Sequence, residues 1–181
     1  MNQPTPGRAR FGLLLDGLTL LVLCGAIGLY FTNRRGSATQ APPIARSLDS
    51  AFAPFPILDS AGHTSLLKPE GRARGMLLFV FKSDCPACAI QKQEWIRLAQ
   101  LARERAVEVF ALTLEELNPQ VREYFAGAVA ARRIADPAAA LTSLQITVVP
   151  ATILVTDRGR IAFHAAGVLD SLRTRALEGM L

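Results

Sequence analysis

A chain of 181 residues, half of them hydrophobic, has enough apolar material for one ordinary core plus an appendage. The net charge of +5 is partly an end effect, because residues 1–43 carry four Arg against Asp16. The remaining sixteen basic and fourteen acidic side chains are interspersed, which excludes a nucleic-acid-binding stripe.

Residues 1–10 form a short tail with Arg8 and Arg10. Phe11–Phe31 is apolar except for Asp16 and Thr19, and its length suits a bilayer crossing of roughly 20 residues. Asn33-Arg34-Arg35 follow it, and no A-x-A-like site closes the hydrophobic segment, so a retained anchor is expected rather than a cleaved signal. Cys24 follows the bulky Leu23, which speaks against a lipoprotein site, and reads as a small apolar residue of the span. Arg8 and Arg10 nearly balance Arg34 and Arg35, so charge alone does not set the orientation.

Residues 32–50 read as a linker, with Gly36–Pro43 rich in small residues and Pro. Residues 51–181 read as one domain. Phe52–Leu58 holds two prolines and is expected to make at best an edge strand. Asp59–Gly62 is a turn, His63–Leu67 a returning strand with His63 at the surface, and Lys68–Gly75 a loop. Met76–Phe81 is a short unbroken apolar run, the pattern of a strand buried on both faces.

The polar hinge Lys82-Ser83-Asp84 then leads into Cys85-Pro86-Ala87-Cys88. Cys85 as N-cap puts Pro86 at the first helical position, where its missing N–H is not needed. Cys88 lies one turn further, close enough to Cys85 for a disulfide. Cys88, Gln91, Trp95, Leu98 and Ala102 share one stripe, the spacing of a core-facing helix. Val107–Leu112 reads as a strand, and Asn118-Pro119 as the cap and first turn of a helix continuing through Tyr124 and Phe125 toward Arg133. Ile134-Ala135 is a scrap of strand, and Asp136-Pro137 opens a short helix through Leu144. Ala151–Val155 and Ile161–Ala165 form a hairpin about Asp157-Arg158-Gly159, and Asp170 or Ser171 caps a last helix to Leu181. The order predicts an α/β domain whose mixed sheet has helices on both faces.

A lone CxxC is a weak signal, but one at a strand-to-helix junction is strong. Free N–H groups at a helix start favour the thiolate, which is the nucleophile of disulfide exchange. Cys85 is thus the exposed attacking sulfur and Cys88 the one that resolves a mixed disulfide. An inert stabilising bridge is a poor alternative, since closing four residues removes little chain entropy.

Over about Ala53–Leu181 the sequence resembles the thioredoxin fold, and it is most similar to the membrane-anchored periplasmic thiol–disulfide oxidoreductases of the TlpA/ResA type. The strand-CPAC-helix unit, Asp136-Pro137-Ala138, Val149-Pro150 and the Asp157-Arg158-Gly159 hairpin carry the likeness. The resemblance implies a cis proline at Pro150 facing the thiols, with the backbone beside Val149 open to a substrate strand. From the residues alone, Pro150 is equally an edge-strand proline. The sequence departs from the family at four places. Asp84 replaces a frequent Trp, Gln93 a common proline, Gln91 a glutamate of the ResA-like proteins, and Met76–Phe81 lacks thioredoxin's buried acid. An amide at Gln91 cannot act as general base for Cys88, which leaves the proton acceptor open.

The leading reading is a membrane-tethered oxidoreductase that reduces disulfides of exported clients. Its domain lies outside the inner membrane, in the periplasm, and is recharged by a transmembrane thiol donor of the DsbD/CcdA kind. No cofactor or metal is required. The negative charge of Asp84 and the N–H lost at Pro86 both favour a modest thiolate and a reducing pair. Two further classes are a copper metallochaperone, with His164 completing a site beside Cys85 and Cys88, and a non-enzymatic assembly factor. A peroxidase is disfavoured because Leu78 and Lys82 stand where peroxiredoxins place Pro and Thr.

Overall fold

The computed structural model describes residues 50–181 except Glu70 and Arg72. The expected tail, anchor and all but the last residue of the linker lie outside that set, and among the described residues no helix is long and apolar enough to cross a membrane.

Seven strands make one sheet: β1 (Phe55–Leu58), β2 (Thr64–Leu67), β3 (Gly75–Phe81), β4 (Glu108–Thr113), β5 (Ala131–Ile134), β6 (Ala151–Thr156) and β7 (Ile161–Ala166). Their spatial order is β2-β1-β5-β4-β3-β6-β7. Among the described residues four helices accompany them: α1 (Pro86–Glu104), α2 (Pro119–Arg122), α3 (Pro137–Leu144) and α4 (Ser171–Met180). β3 runs parallel to β4 and antiparallel to β6, so the expected mixed sheet is present.

The apolar run reads as it does because all seven residues of β3 are buried. Strand alternation sends Leu77, Phe79 and Phe81 to one core and Met76, Leu78 and Val80 to the other. The first core takes α1 through Trp95, Leu98 and Ala102, and α4 through Leu177. The second takes α3 through Ala140 and Leu144. Each large side chain buried in this way contributes roughly 1.5–3 kcal/mol. At the start of β3, Gly75 has φ +154°, and a Cβ there would sit 2.4 Å from the Val155 carbonyl oxygen. Only glycine lets β3 approach β6 that closely.

Two expectations are corrected. The Phe52–Leu58 segment is not at an edge: β1 lies between β2 and β5. Pro56 is tolerated because the β1–β5 ladder holds only the pairs Ile57–Ile134 and Leu58–Arg133. Pro56 sits beside that ladder and needs only to accept, which its carbonyl does from the Ala135 N–H at 3.0 Å. The helix capped by Asn118 stops at Arg122, after four residues. Ala126 and Gly127 take positive φ, which no helix continues through. The chain they release becomes β5 from Ala131 onward, so Arg133 is in a strand. Elsewhere Asp136 and Asp170 cap α3 and α4 through their side chains.

Candidate active site

The thiol pair sits where β3 ends. Phe81 is the last strand residue, Lys82–Asp84 turn the chain, and α1 starts at Pro86 with Cys85 as an extended N-cap. Cys85 has no side-chain capping bond, so its sulfur is left to the site. It is partly exposed, Cys88 is fully buried, and both thiols are free. The Val149–Pro150 peptide bond is cis, and the Cys85 Sγ donates to the Val149 carbonyl oxygen at 3.9 Å. Cys85, Cys88, Val149 and Pro150 are therefore brought together from two elements, the start of α1 and the approach to β6.

The two sulfurs differ sharply. Burial pushes the Cys85 thiol up, but hydrogen bonds from the Cys88 side chain and from the N–H groups of Cys88 and Ala87 outweigh both burial and the Asp84 charge. Its pKa ends below the ordinary 9.0. Burial foremost, with the charges of Cys85 and Glu115, pushes Cys88 up to about 12. Asp84 thus acts in the expected direction without prevailing. It is 70% exposed and pairs with Lys82 Nζ at 3.3 Å, so solvent and a cation weaken it. The N–H missing at Pro86 leaves those of Ala87 and Cys88 to do the stabilising.

Gln91 is buried on the same face as Cys88, but its Oε1 accepts from the Leu169 N–H at 2.7 Å. Its carbonyl ties α1 to the segment before α4. His164 is opposite Ile153 in the β6–β7 ladder. It therefore faces the α3 core, across the sheet from Cys88. It does not complete a site with the thiols, and the described residues hold no cluster of three metal-ligating groups.

Two residues beside the thiols escaped the sequence reading. Tyr124 stacks on Phe81 at 4.6 Å, and its buried hydroxyl has no hydrogen-bond partner among the described residues. Burial first, then the charges of Cys88, Cys85 and Glu115, push it up to about 12. Glu115 accepts from the Ser83 N–H at 2.6 Å and from the Ser83 hydroxyl at 2.9 Å. Glu115 carried no signal in the sequence, because only the pairing of β3 with β4 brings it to the site. In the parallel β3–β4 register Phe81 pairs with Thr113, so residues two further along each strand, Ser83 and Glu115, meet at the carboxyl end of the sheet.

No family model matches the chain, and no curated protein matches it. Solved structures do. The thioredoxin domain of a thiol–disulfide oxidoreductase from Bacteroides vulgatus superposes with a TM-score of 0.58 at 14% identity, covering 74% of this chain and 96% of that one. StoA from Bacillus subtilis gives 0.51 at 20% identity, with 71% and 96% covered. The pneumococcal exposed lipoprotein thioredoxin from Streptococcus pneumoniae gives 0.54 at 14% identity, with 71% and 100% covered. The fold is thioredoxin-like.

Proposed function

We propose that the chain is a membrane-tethered thiol–disulfide oxidoreductase that reduces disulfides of exported client proteins. The observation that carries this reading is the inequality of two adjacent thiols, one exposed and acidified at a helix start, the other buried and held protonated. Exchange needs that division of labour. The Cys85 thiolate attacks one sulfur of the client disulfide, a mixed disulfide forms, and the other client sulfur leaves as a thiolate. Cys88 then gives up its proton, to the released client thiolate or to water, and attacks the Cys85 sulfur. The Cys85–Cys88 disulfide forms, the second client thiolate departs, and two electrons have passed to the client. The Val149 carbonyl, beside the attacking sulfur, is a backbone acceptor that an extended client strand can pair with.

The reducing direction is supported by Cys88, which burial and the Glu115 charge keep protonated, and by the Asp84 carboxylate, which opposes without overcoming the lowering of the Cys85 pKa. Residues 11–31 supply the anchor, with the thiol domain on the outer side and a transmembrane thiol donor reducing the Cys85–Cys88 disulfide after each cycle.

The deciding experiment is trapping with the full chain in its host membrane. Cys88→Ser is expected to accumulate mixed disulfides through Cys85, and Cys85→Ser is expected to accumulate none. Equal trapping by both variants, or none by either, defeats the proposal.

A further inference from the structure

Glu115 follows β4 and lies two residues beyond the buried Thr113. Its two carboxylate oxygens accept from the main chain and the hydroxyl of Ser83, and Oε2 also takes the Thr113 hydroxyl at 3.3 Å. The Thr113 Oγ1 in turn accepts from the Glu115 N–H at 3.1 Å, so the side chain is held from both ends. These partners are neutral; among the described residues the Glu115 carboxylate has no cation paired to it. The clamped residue belongs to the three-residue hinge that delivers Cys85, and the Cys85 N–H closes that hinge on the Lys82 carbonyl at 3.3 Å.

The other groups around the thiols do not cancel this charge. Lys82 is engaged with Asp84 on the exposed side of the hinge. Lys92 of α1 lies 5.1 Å from the centre of the Tyr124 ring, and Tyr124 itself is neutral. Arg133 is taken by the neighbouring Glu116 at 2.8 Å. The carboxylate that thioredoxin buries in the strand before its cysteines is missing here, where Phe79 and its neighbours are all apolar.

We propose that Glu115 is a positioning residue of the dithiol site: clamped on Ser83, it fixes the hinge before Cys85 and keeps a negative charge beside the pair that holds it reducing. The proposal rests on the oxidoreductase reading and deepens it. The charge raises both the Cys88 thiol and the Tyr124 hydroxyl, which places it within electrostatic reach of the buried side of the site.

The test equilibrates the purified full chain with reduced and oxidised glutathione. Two glutathione thiols are oxidised to one disulfide as the Cys85–Cys88 disulfide becomes the dithiol. Glu115→Gln, nearly isosteric but uncharged, is expected to shift this equilibrium about tenfold toward the dithiol, about 30 mV. Glu115→Asp, which keeps the charge, is expected to stay within about threefold of wild type. A parallel titration of thiolate absorbance should show the Cys88 thiol of Glu115→Gln ionising at lower pH. Glu115→Gln within about twofold of wild type, or Glu115→Asp shifted as far as Glu115→Gln, overturns the proposal. A wild-type chain that never equilibrates with glutathione overturns the oxidoreductase reading instead.

Discussion

The difference between the two thiols can be read directly as a rate. Cys88 is pushed up to about 12 and Cys85 lies below 9.0, so at any pH below both values Cys85 holds at least about 1000 times the thiolate fraction of Cys88. A less basic thiolate is also a poorer nucleophile, and a Brønsted coefficient of about 0.45 returns roughly a factor of 20. The net expectation is that Cys85 alkylates at least about 50 times faster, before the complete burial of Cys88 is counted. The assay exposes the reduced full chain at pH 7.5 to a limiting amount of iodoacetamide. Quenching at intervals and locating the label by peptide mass separates Cys85 and Cys88 from Cys24. A denatured sample, in which Cys85 and Cys88 should react alike, calibrates the comparison. First labelling of Cys88 within about fivefold of Cys85 would refute the electrostatic account, because no plausible nucleophilicity correction spans the gap.

The fold offers two further tests. Gly75→Ala sets a methyl group against the Val155 carbonyl at a strained φ, and is expected to cost about 3 kcal/mol. Urea unfolding followed by the fluorescence of Trp95, the only tryptophan of the chain, measures it, and a loss below about 1 kcal/mol contradicts the close β3–β6 approach. His164 is held neutral by burial, its pKa lowered from 6.5 although main-chain groups near Leu144 and His164 pull it back. The unfolded chain therefore binds more protons as pH falls below about 6.5, and stability should drop through that window toward the folded pKa. His164→Gln should flatten that slope, and an unchanged slope would assign it to other groups.

What the sequence revealed was local, and what it hid was contact at a distance. The apolar β3, the N-cap at Cys85 and the proline after it are encoded within about fifteen residues, and so were readable. Asn118 announced a helix correctly, but where the helix ended depended on Ala126 and Gly127 taking positive φ, which an alanine does not advertise. The two prolines of the Phe52–Leu58 segment argued for an edge. Only the register of β1 on β5 shows that Pro56 sits beside a ladder two pairs long. Ser83 and Glu115 are 32 residues apart and become neighbours through the parallel pairing of β3 and β4. The amide of Gln91 can be read from the sequence, but its partner, the Leu169 N–H, lies 78 residues away.

One buried indole has a mechanical consequence for the site. Trp95 donates to the Thr152 hydroxyl at 2.8 Å and stacks on Phe79 at 5.2 Å, with no exposed surface of its own. It therefore bolts the helix that begins at the cysteines to the strand that begins just after Pro150. On the proposed function, this sets the Cys85 sulfur and the Val149 carbonyl at a fixed separation before any client arrives. In entropic terms the protein has already met its share of the ordering cost, and an incoming segment must supply the rest by straightening. A chain already extended gives up roughly 1–2 kcal/mol less for each residue it need not reorganise. Selectivity at such a site would follow the backbone of the client more than its sequence: accessible stretches already held extended would be taken first, and loose chains that must be ordered, or disulfides locked in compact folds, later.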